Sequence, residues 1–577
     1  MLKLVLFAAF LITAAAASAQ SHGHVAAAAT RNVCSRGAVG SALADPAERA
    51  SHDGVLKVAL TVRNAPDENG NMRYCYIDEL GNQSPTLRVK PGDTLIVSLK
   101  NEIALREPAA PPANKAQTAG MAHAAGQAAG DCGGGPIRPD MTNLHFHGLA
   151  LPPVCHQDDT LKTLISPGDP PFEYRITIPA NQPPGLYWYH PHVHGITEQQ
   201  VLGGLSGAIV VEGIGSVVPR VAGLPERIFV VRDEPMPAAD AAKPADAMRP
   251  TKQITVNAVP VPYPEYLAPT IAMKPRERQL WRVVNASADT FLILTLRING
   301  KRQNLNLVAM DGVPIHYGMP GAAEYSPDTS SILLSPAGRA EFVVTAPAAG
   351  ETGVLQTEYA YRGPGDDNGP ITPKTQPAPG VRAGLDDVDP KRPLVSILTA
   401  PSAANTRTVM ASAGLRQSFP DLSSSRPLRK RKLFFSEGLT DPNDPKSAPL
   451  FFITEDGRTP AAFSHDTAPI VVHQGDVEDW TIENRSQEAH TFHVHQLHFL
   501  VVGSRGVGWE ETTPRDTVNL PAWVGYGVYP SVTLRMDFRD PNIAGTFPFH
   551  CHILQHVDGG MMGLIKIVPA SDRQPAN

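Results

Sequence analysis

The stretch Phe549-His550-Cys551-His552-Ile553-Leu554-Gln555-His556, with Met561 close behind, sets a soft thiolate, imidazoles and a thioether side by side. Cys551, His556 five residues on and Met561 ten residues on supply the Cys, one His and the weak axial Met of a blue copper electron-transfer centre. Such a centre needs a second imidazole. His490 offers it, at the head of the run His490-Thr491-Phe492-His493-Val494-His495.

Two more pairs occur near the other end of the chain: His145-Phe146-His147-Gly148, and His190-Pro191-His192 within Trp188 to Gly195. Residues two apart on an extended segment share a face, and neighbours oppose each other. His550 and His552 therefore point one way and Cys551 the other. His493 and His495 share a face, while His490 leans to the opposite side. Two metal sites result, back to back. One gathers Cys551, His490, His556 and Met561; the other gathers His493, His495, His550 and His552, joined by His145, His147, His190 and His192 from the N-terminal half. Eight imidazoles exceed what one ion takes, and zinc, with its closed four-ligand habit, fits neither site. The isolated histidines, His22, His24, His52, His123, His156, His316, His465 and His473, read as ordinary surface or core residues. His194 and His498 lie beside the ligand motifs and read as supporting or incidental.

These four motifs, their order and the chain length resemble the three-domain multicopper oxidases, the laccase and cuprous-oxidase family, over nearly the whole mature chain. The resemblance implies four copper ions. It places His490, Cys551, His556 and Met561 on a type 1 copper, His145 and His493 on a type 2 copper, and His147, His190, His192, His495, His550 and His552 on a type 3 pair. It also implies four-electron reduction of dioxygen to water. An acidic residue after the first His-x-His-Gly motif would relay protons; counting back from Pro167-Gly168 favours Asp159 over Asp158. After the last type 1 histidine, where some members carry a second relay acid, stands Val557, with Asp558 next. Cuprous-oxidase members carry methionine-rich segments, whereas this chain has 13 methionines and no such run. A laccase-like oxidation of phenolic or aromatic amine donors is therefore expected. The alternatives are a periplasmic metal-ion (cuprous) oxidase for copper tolerance and a non-catalytic copper-binding descendant of the fold.

The elements that must position these residues are short alternating strands punctuated by Gly and Pro. A strand, a turn and a second strand ending at Asn occur three times. Leu87 to Asp93 leads to Leu99-Lys100-Asn101, Ile271 to Pro275 to Trp281 through Asn285, and Ile470 to Asp476 to Trp480 through Asn484. With strand patterns at Ile254 to Val259, Phe291 to Ile298, Ile332 to Val344 and Val532 to Phe538, the reading is all-β. It matches the three consecutive cupredoxin-like β-sandwich domains that the resemblance implies. The 577 residues divide into domain 1 at 54–215, domain 2 at 224–400 and domain 3 at 431–570. Residues 107–139 read as an Ala/Gly-rich surface insertion, and 362–392 as an interdomain loop. Domain 2 has the repeat but no copper motif, so its expected task is spacing and shaping, holding domains 1 and 3 together so that their histidines meet.

Residues 1–19 read as a secretory signal: Lys3, an apolar run and Ala17-Ser18-Ala19. A periplasmic or secreted mature protein without a membrane span follows. Cys34, Cys75, Cys132 and Cys155 suit two disulfides in an oxidising compartment, with three connectivities open. A net charge of -6 argues against nucleic acid as a partner. A monomer is expected.

Overall fold

Each of the three repeats folds as two strands joined by a tight turn, and the two strands enter different sheets. The pairs are Thr86–Val89 with Thr94–Glu102, Thr270–Met273 with Arg278–Asn285, and Ile470–His473 with Val477–Asn484. The leading strand always runs parallel to a late strand, respectively Gly207–Val211, Arg392–Thr399 and Met562–Val568. The following strand always sits between a parallel neighbour and an antiparallel one. These are Val55–Pro66 and Phe172–Thr177, Glu226–Pro235 and Arg339–Thr345, and Arg429–Leu439 and Ser531–Asp537. The same wiring used three times gives three two-sheet sandwiches, six sheets among the described residues. The structure is a computed structural model. It describes residues 34–104, 132–236, 250–317, 327–363, 389–401, 406–411, 418–419, 421–441, 443–444, 447–507 and 513–572. The signal segment and most of the 107–139 insertion and the 362–392 loop lie outside them. No helix among the described residues is long and apolar enough to cross a membrane.

The asparagine that ends each repeat has one task in all three copies. Its side-chain oxygen accepts the backbone N–H two residues ahead, in Ile103, Ser287 or Ser486. Its amide group donates to two loop carbonyls: Asp140 and Ile165 for Asn101, Thr290 and Leu334 for Asn285, Glu488 and Pro521 for Asn484. Buried loop carbonyls need such partners, because an unpaired one costs about 1–3 kcal/mol. The first copy thereby fixes the loops leading to His145, and the third fixes the loop leading to His490.

Trp281 and Trp480, at matching places in the second and third repeats, fill their cores completely, each indole N–H donating to the side chain two residues earlier on its strand. The first sheet takes in Glu48–Ala50, paired with Thr86–Val89, so the first sandwich begins ahead of residue 54. Cys34 pairs with Cys75 and Cys132 with Cys155, leaving Cys551 as the free, buried thiol. Closing loops of 41 and 23 residues removes unfolded-state entropy worth about 3–4 kcal/mol each. First and second sandwiches meet across Leu186, Trp188 and Val210 against Ile228, Val230 and Val284.

Candidate metal centre

Strand register builds the site. His490–Val494 pairs antiparallel with Gly545–Cys551, setting Phe492 opposite Cys551 and His493 opposite His550. Cross-strand partners share a face. Cys551 thus lies on the side of Phe492 and His490, and His550 on the side of His493. In the first sandwich His145–His147 pairs with Gly185–His190, with His145 opposite His190, and Phe146 between the two histidines enters the core.

On the Cys551 side, the thiol sulfur stands 3.7 Å from His490 Nδ1 and 3.6 Å from His556 Nδ1, and the two nitrogens are 3.1 Å apart. Met561 is fully buried beside them; its carbonyl accepts from Cys551 N at 3.1 Å and its N–H donates to His556 O at 2.9 Å. The outward nitrogens are held too. His490 Nε2 meets Ser486 Oγ at 2.6 Å and Glu437 at 3.1 Å, and His556 Nε2 lies 3.4 Å from Glu488. Holding the outer nitrogen fixes ring and tautomer so that the inner lone pair faces the sulfur. Burial pushes the Cys551 thiol up to about 12, so at neutral pH its thiolate needs a bound cation.

On the other side, eight imidazoles converge from two sandwiches. They fall into candidate ion groups His145–His147–His493, His147–His190–His552 and His192–His495–His550. Outer nitrogens are again anchored: His145 Nδ1 on Asp158 at 3.0 Å, His190 Nδ1 on Pro191 O, His493 Nδ1 on Asp516 O and His550 Nδ1 on Cys551 O, the last three at 2.8 Å. Inward, His550 Nε2 stands 3.1 Å from the Nε2 atoms of His192 and His495, and several other ring nitrogens have no partner. His145 Nε2, His147 Nδ1, His190 Nε2, His493 Nε2, His495 Nδ1 and both nitrogens of His552 are buried without a hydrogen bond. Left so, each would cost about 1–3 kcal/mol. Burial also holds His147, His190, His192, His493, His495 and His552 well below the usual imidazole range, keeping them neutral as ligands must be. A neutral, orphaned, convergent imidazole array beside a Cys–His–His–Met cluster fits copper.

Of the two adjacent carboxylates after the first motif, Asp158 and not Asp159 touches a histidine of this centre. Asp158 is buried, touches His145, and accepts from Phe146 N at 3.0 Å and from the Gln496 amide. Asp159 instead caps the backbone N–H groups of Leu161 and Lys162. The segment is a loop, where counting along the chain does not fix direction. Asp558 accepts from Gly195 N and Glu198 N, both at 2.8 Å, and Val557 sits in an apolar cluster.

The second sandwich holds its neighbours together at the histidines as expected, through residues that sequence reading did not name. Arg339 grips Asp516 with two hydrogen bonds of 2.7 and 2.5 Å, and Asp516 reaches His147 Nε2 at 3.4 Å. Burial pushes Asp516 up to about 7, against the pull of Arg339. Asp311 accepts from Arg339 N at 3.0 Å and from Thr517 Oγ1 at 2.8 Å, tying second and third sandwiches together at the histidines. His498 joins them, Nε2 to Asp311 O at 3.1 Å. The glycine of His145-Phe146-His147-Gly148 follows from this packing. At φ +87°, a Cβ there would lie 2.6 Å from Asp516 and 2.7 Å from Arg339.

Multicopper oxidase family models match residues 138–215, 232–370 and 439–571. A laccase of Haloferax volcanii is 27% identical over 441 residues, 74% of this chain and 67% of that protein. The multicopper oxidase mco of Staphylococcus haemolyticus is 24% identical over 436 residues, 74% of this chain and 76% of the relative. Among solved structures, a Campylobacter jejuni multicopper oxidase described as a metallo-oxidase superposes with a TM-score of 0.61 at 21% identity, covering 92% of this chain and 95% of its own. McoA of Aquifex aeolicus superposes at 0.60 and 17% identity, covering 91% and 99%. With the family models spanning most of the chain and the histidine array fitting its metal, this protein belongs to the multicopper oxidases, copper-dependent oxidoreductases of cupredoxin-like sandwiches.

Proposed function

We propose that the chain couples one-electron oxidation of phenolic or aromatic amine donors to reduction of dioxygen to water. His490, Cys551 and His556 would hold a type 1 copper, with Met561 as weak axial donor. His145 and His493 would hold the type 2 ion; His147, His190 and His552, and His192, His495 and His550, the type 3 pair. Together the four ions supply four electrons, which with four protons convert one dioxygen into two waters. Cys551 is the wire: its backbone is bonded directly to His550 and His552, so an electron received at its sulfur has a short covalent path to both. Asp158, hydrogen-bonded to His145, would hold and pass a proton. The convergence of imidazoles with orphaned nitrogens on one side of Cys551, and of His490 and His556 on its sulfur, carries this reading. Export to the periplasm or beyond agrees with the two disulfides.

The donor class rests on the surface over His490. Trp523 N donates to Ser486 O at 2.9 Å, anchoring a loop that exposes Tyr526 and Val528, 60% and 63% accessible, beside the serine that touches His490. An aromatic donor packs on such a surface and yields its proton to Glu437 as its electron leaves. The same carboxylates, Glu437 and Glu488, favour a second reading in which a metal ion is the donor. Oxygen uptake with a graded phenol series, set against cuprous, ferrous and manganous ions, decides between them. Uptake with phenols is the expected result; uptake with metal ions alone would transfer the proposal to the second reading.

A further inference from the structure

Ions must reach an enclosed centre. All eight converging histidines are at most 3% exposed. A cavity of about 830 Å³ opens beside Gly133–Gly135 and has one of them, His192, in its wall together with His194 and His465. A second cavity of about 480 Å³ has none of them in its wall and is lined by Gln496, whose amide is bonded to Asp158. We propose that His194 and His465 form a transit site in the larger cavity, binding copper ions on their way to the eight-histidine centre. The inference rests on the copper assignment above.

His194 stands two residues beyond His192, and its Nδ1 is buried without a hydrogen-bond partner. Its ring meets that of His465 edge to face, centroids 6.3 Å apart. Imidazoles grouped on one candidate ion in this protein stand 4.0 to 6.3 Å apart, so the spacing of His194 and His465 already falls at the wide end of that range. His465 is exposed, so its ring can turn a nitrogen toward His194. Phe463 packs edge-on against both rings, at 5.1 and 5.7 Å, and holds them toward each other. Asp159 and Asp466 line the same cavity and draw cations toward it. Two imidazoles bind copper well enough to concentrate it, and more weakly than three converging ones. The ion therefore passes inward, from His194 to His192.

The Cys551 centre provides an internal control, since neither His490 nor His556 lines this cavity. Copper-stripped full-length protein and its His465→Ala variant are given cuprous ion under argon, quenched with a chelator at intervals and then oxidised in air. Blue absorption reports the Cys551 centre, and the type 2 electron paramagnetic resonance signal with total copper reports the other. In His465→Ala the blue signal should develop at the wild-type rate, while the eight-histidine centre fills about tenfold more slowly and to the same final content. Equal filling rates, or equal slowing at both centres, would overturn the transit site. If wild-type protein takes no copper into the eight-histidine centre, it is the copper assignment that fails.

Discussion

The two metal centres differ in how far along the chain their parts are gathered. The Cys551 centre is built almost wholly within the third sandwich: His490, Cys551, His556 and Met561, with Ser486, Glu437 and Glu488 outside them and the rings of Phe435 and Phe451 packed on the two histidines. The eight-histidine centre takes four imidazoles from the first sandwich and four from the third, and is braced by Arg339 and Asp311 from the second. Ligands therefore reveal less about a site's construction than the groups that hold them. A domain without a single ligand still sets the geometry of the larger centre.

Separating the two centres most sharply is the loss of the group between them. Cys551→Ser removes the soft ligand and leaves His550 and His552 in place. Blue absorption should vanish and donor oxidation should stop, while bound copper falls from four ions per chain to three. A variant that stays blue, or loses all its copper, would mean that the two centres are not independently built.

Arg339 tests whether the second sandwich acts on one centre alone. Arg339→Gln leaves Asp516 buried without its cation, which typically costs about 3–5 kcal/mol. The melting temperature should fall, and the type 2 resonance should shift through His493, whose Nδ1 meets Asp516 O, with the blue absorption unmoved. Arg339→Lys restores the charge without the two-pronged grip and should recover part of the resonance. An unshifted type 2 signal in a folded Arg339→Gln protein would return the second sandwich to the role of spacer.

The contrast also explains what could be read from the chain. Alternation fixes which side of a strand a residue faces, so His490 and Cys551 against His493 and His550 followed from spacing within two short runs. The three repeats were equally visible, because a turn between strands leaves Gly, Pro and a terminal Asn in the sequence. Asp158 was legible only as the alternative to its neighbour Asp159, and Arg339 not at all. Asp158 lies in a loop, where parity does not apply, and Arg339 meets Asp516 across 177 residues. Only packing brings such pairs together, and a buried Arg on a strand looks in sequence like any exposed one.

Proton delivery gives a smaller contrast, between adjacent carboxylates. Asp158→Asn keeps size and hydrogen bonding but removes the proton, and reoxidation by dioxygen should slow about 10²-fold, with reduction of the blue copper unchanged. Asp159→Asn should leave both rates near wild type. Stopped-flow traces of each half-reaction check the pair. Slowing in Asp159→Asn alone would reverse the assignment.

The smallest expected effect probes the Cys551 centre by itself. A thioether at the Met561 position is a weak, long donor that stabilises oxidised copper and lowers the centre's potential. Met561→Leu is nearly isosteric, and the surrounding core, in which Met561 is fully buried, should accept it at a cost below about 1.5 kcal/mol. The potential should rise. For a one-electron couple each ~59 mV favours electron uptake tenfold, so phenols of high potential should become better donors wherever entry limits turnover. Onward transfer to the eight-histidine centre loses the same driving force, and easily oxidised phenols should gain little. Turnover across a graded phenol series, plotted against the measured potential, separates the two steps. An unchanged potential would remove Met561 from the centre. A raised potential with no shift in donor preference would place the limiting step at the eight histidines.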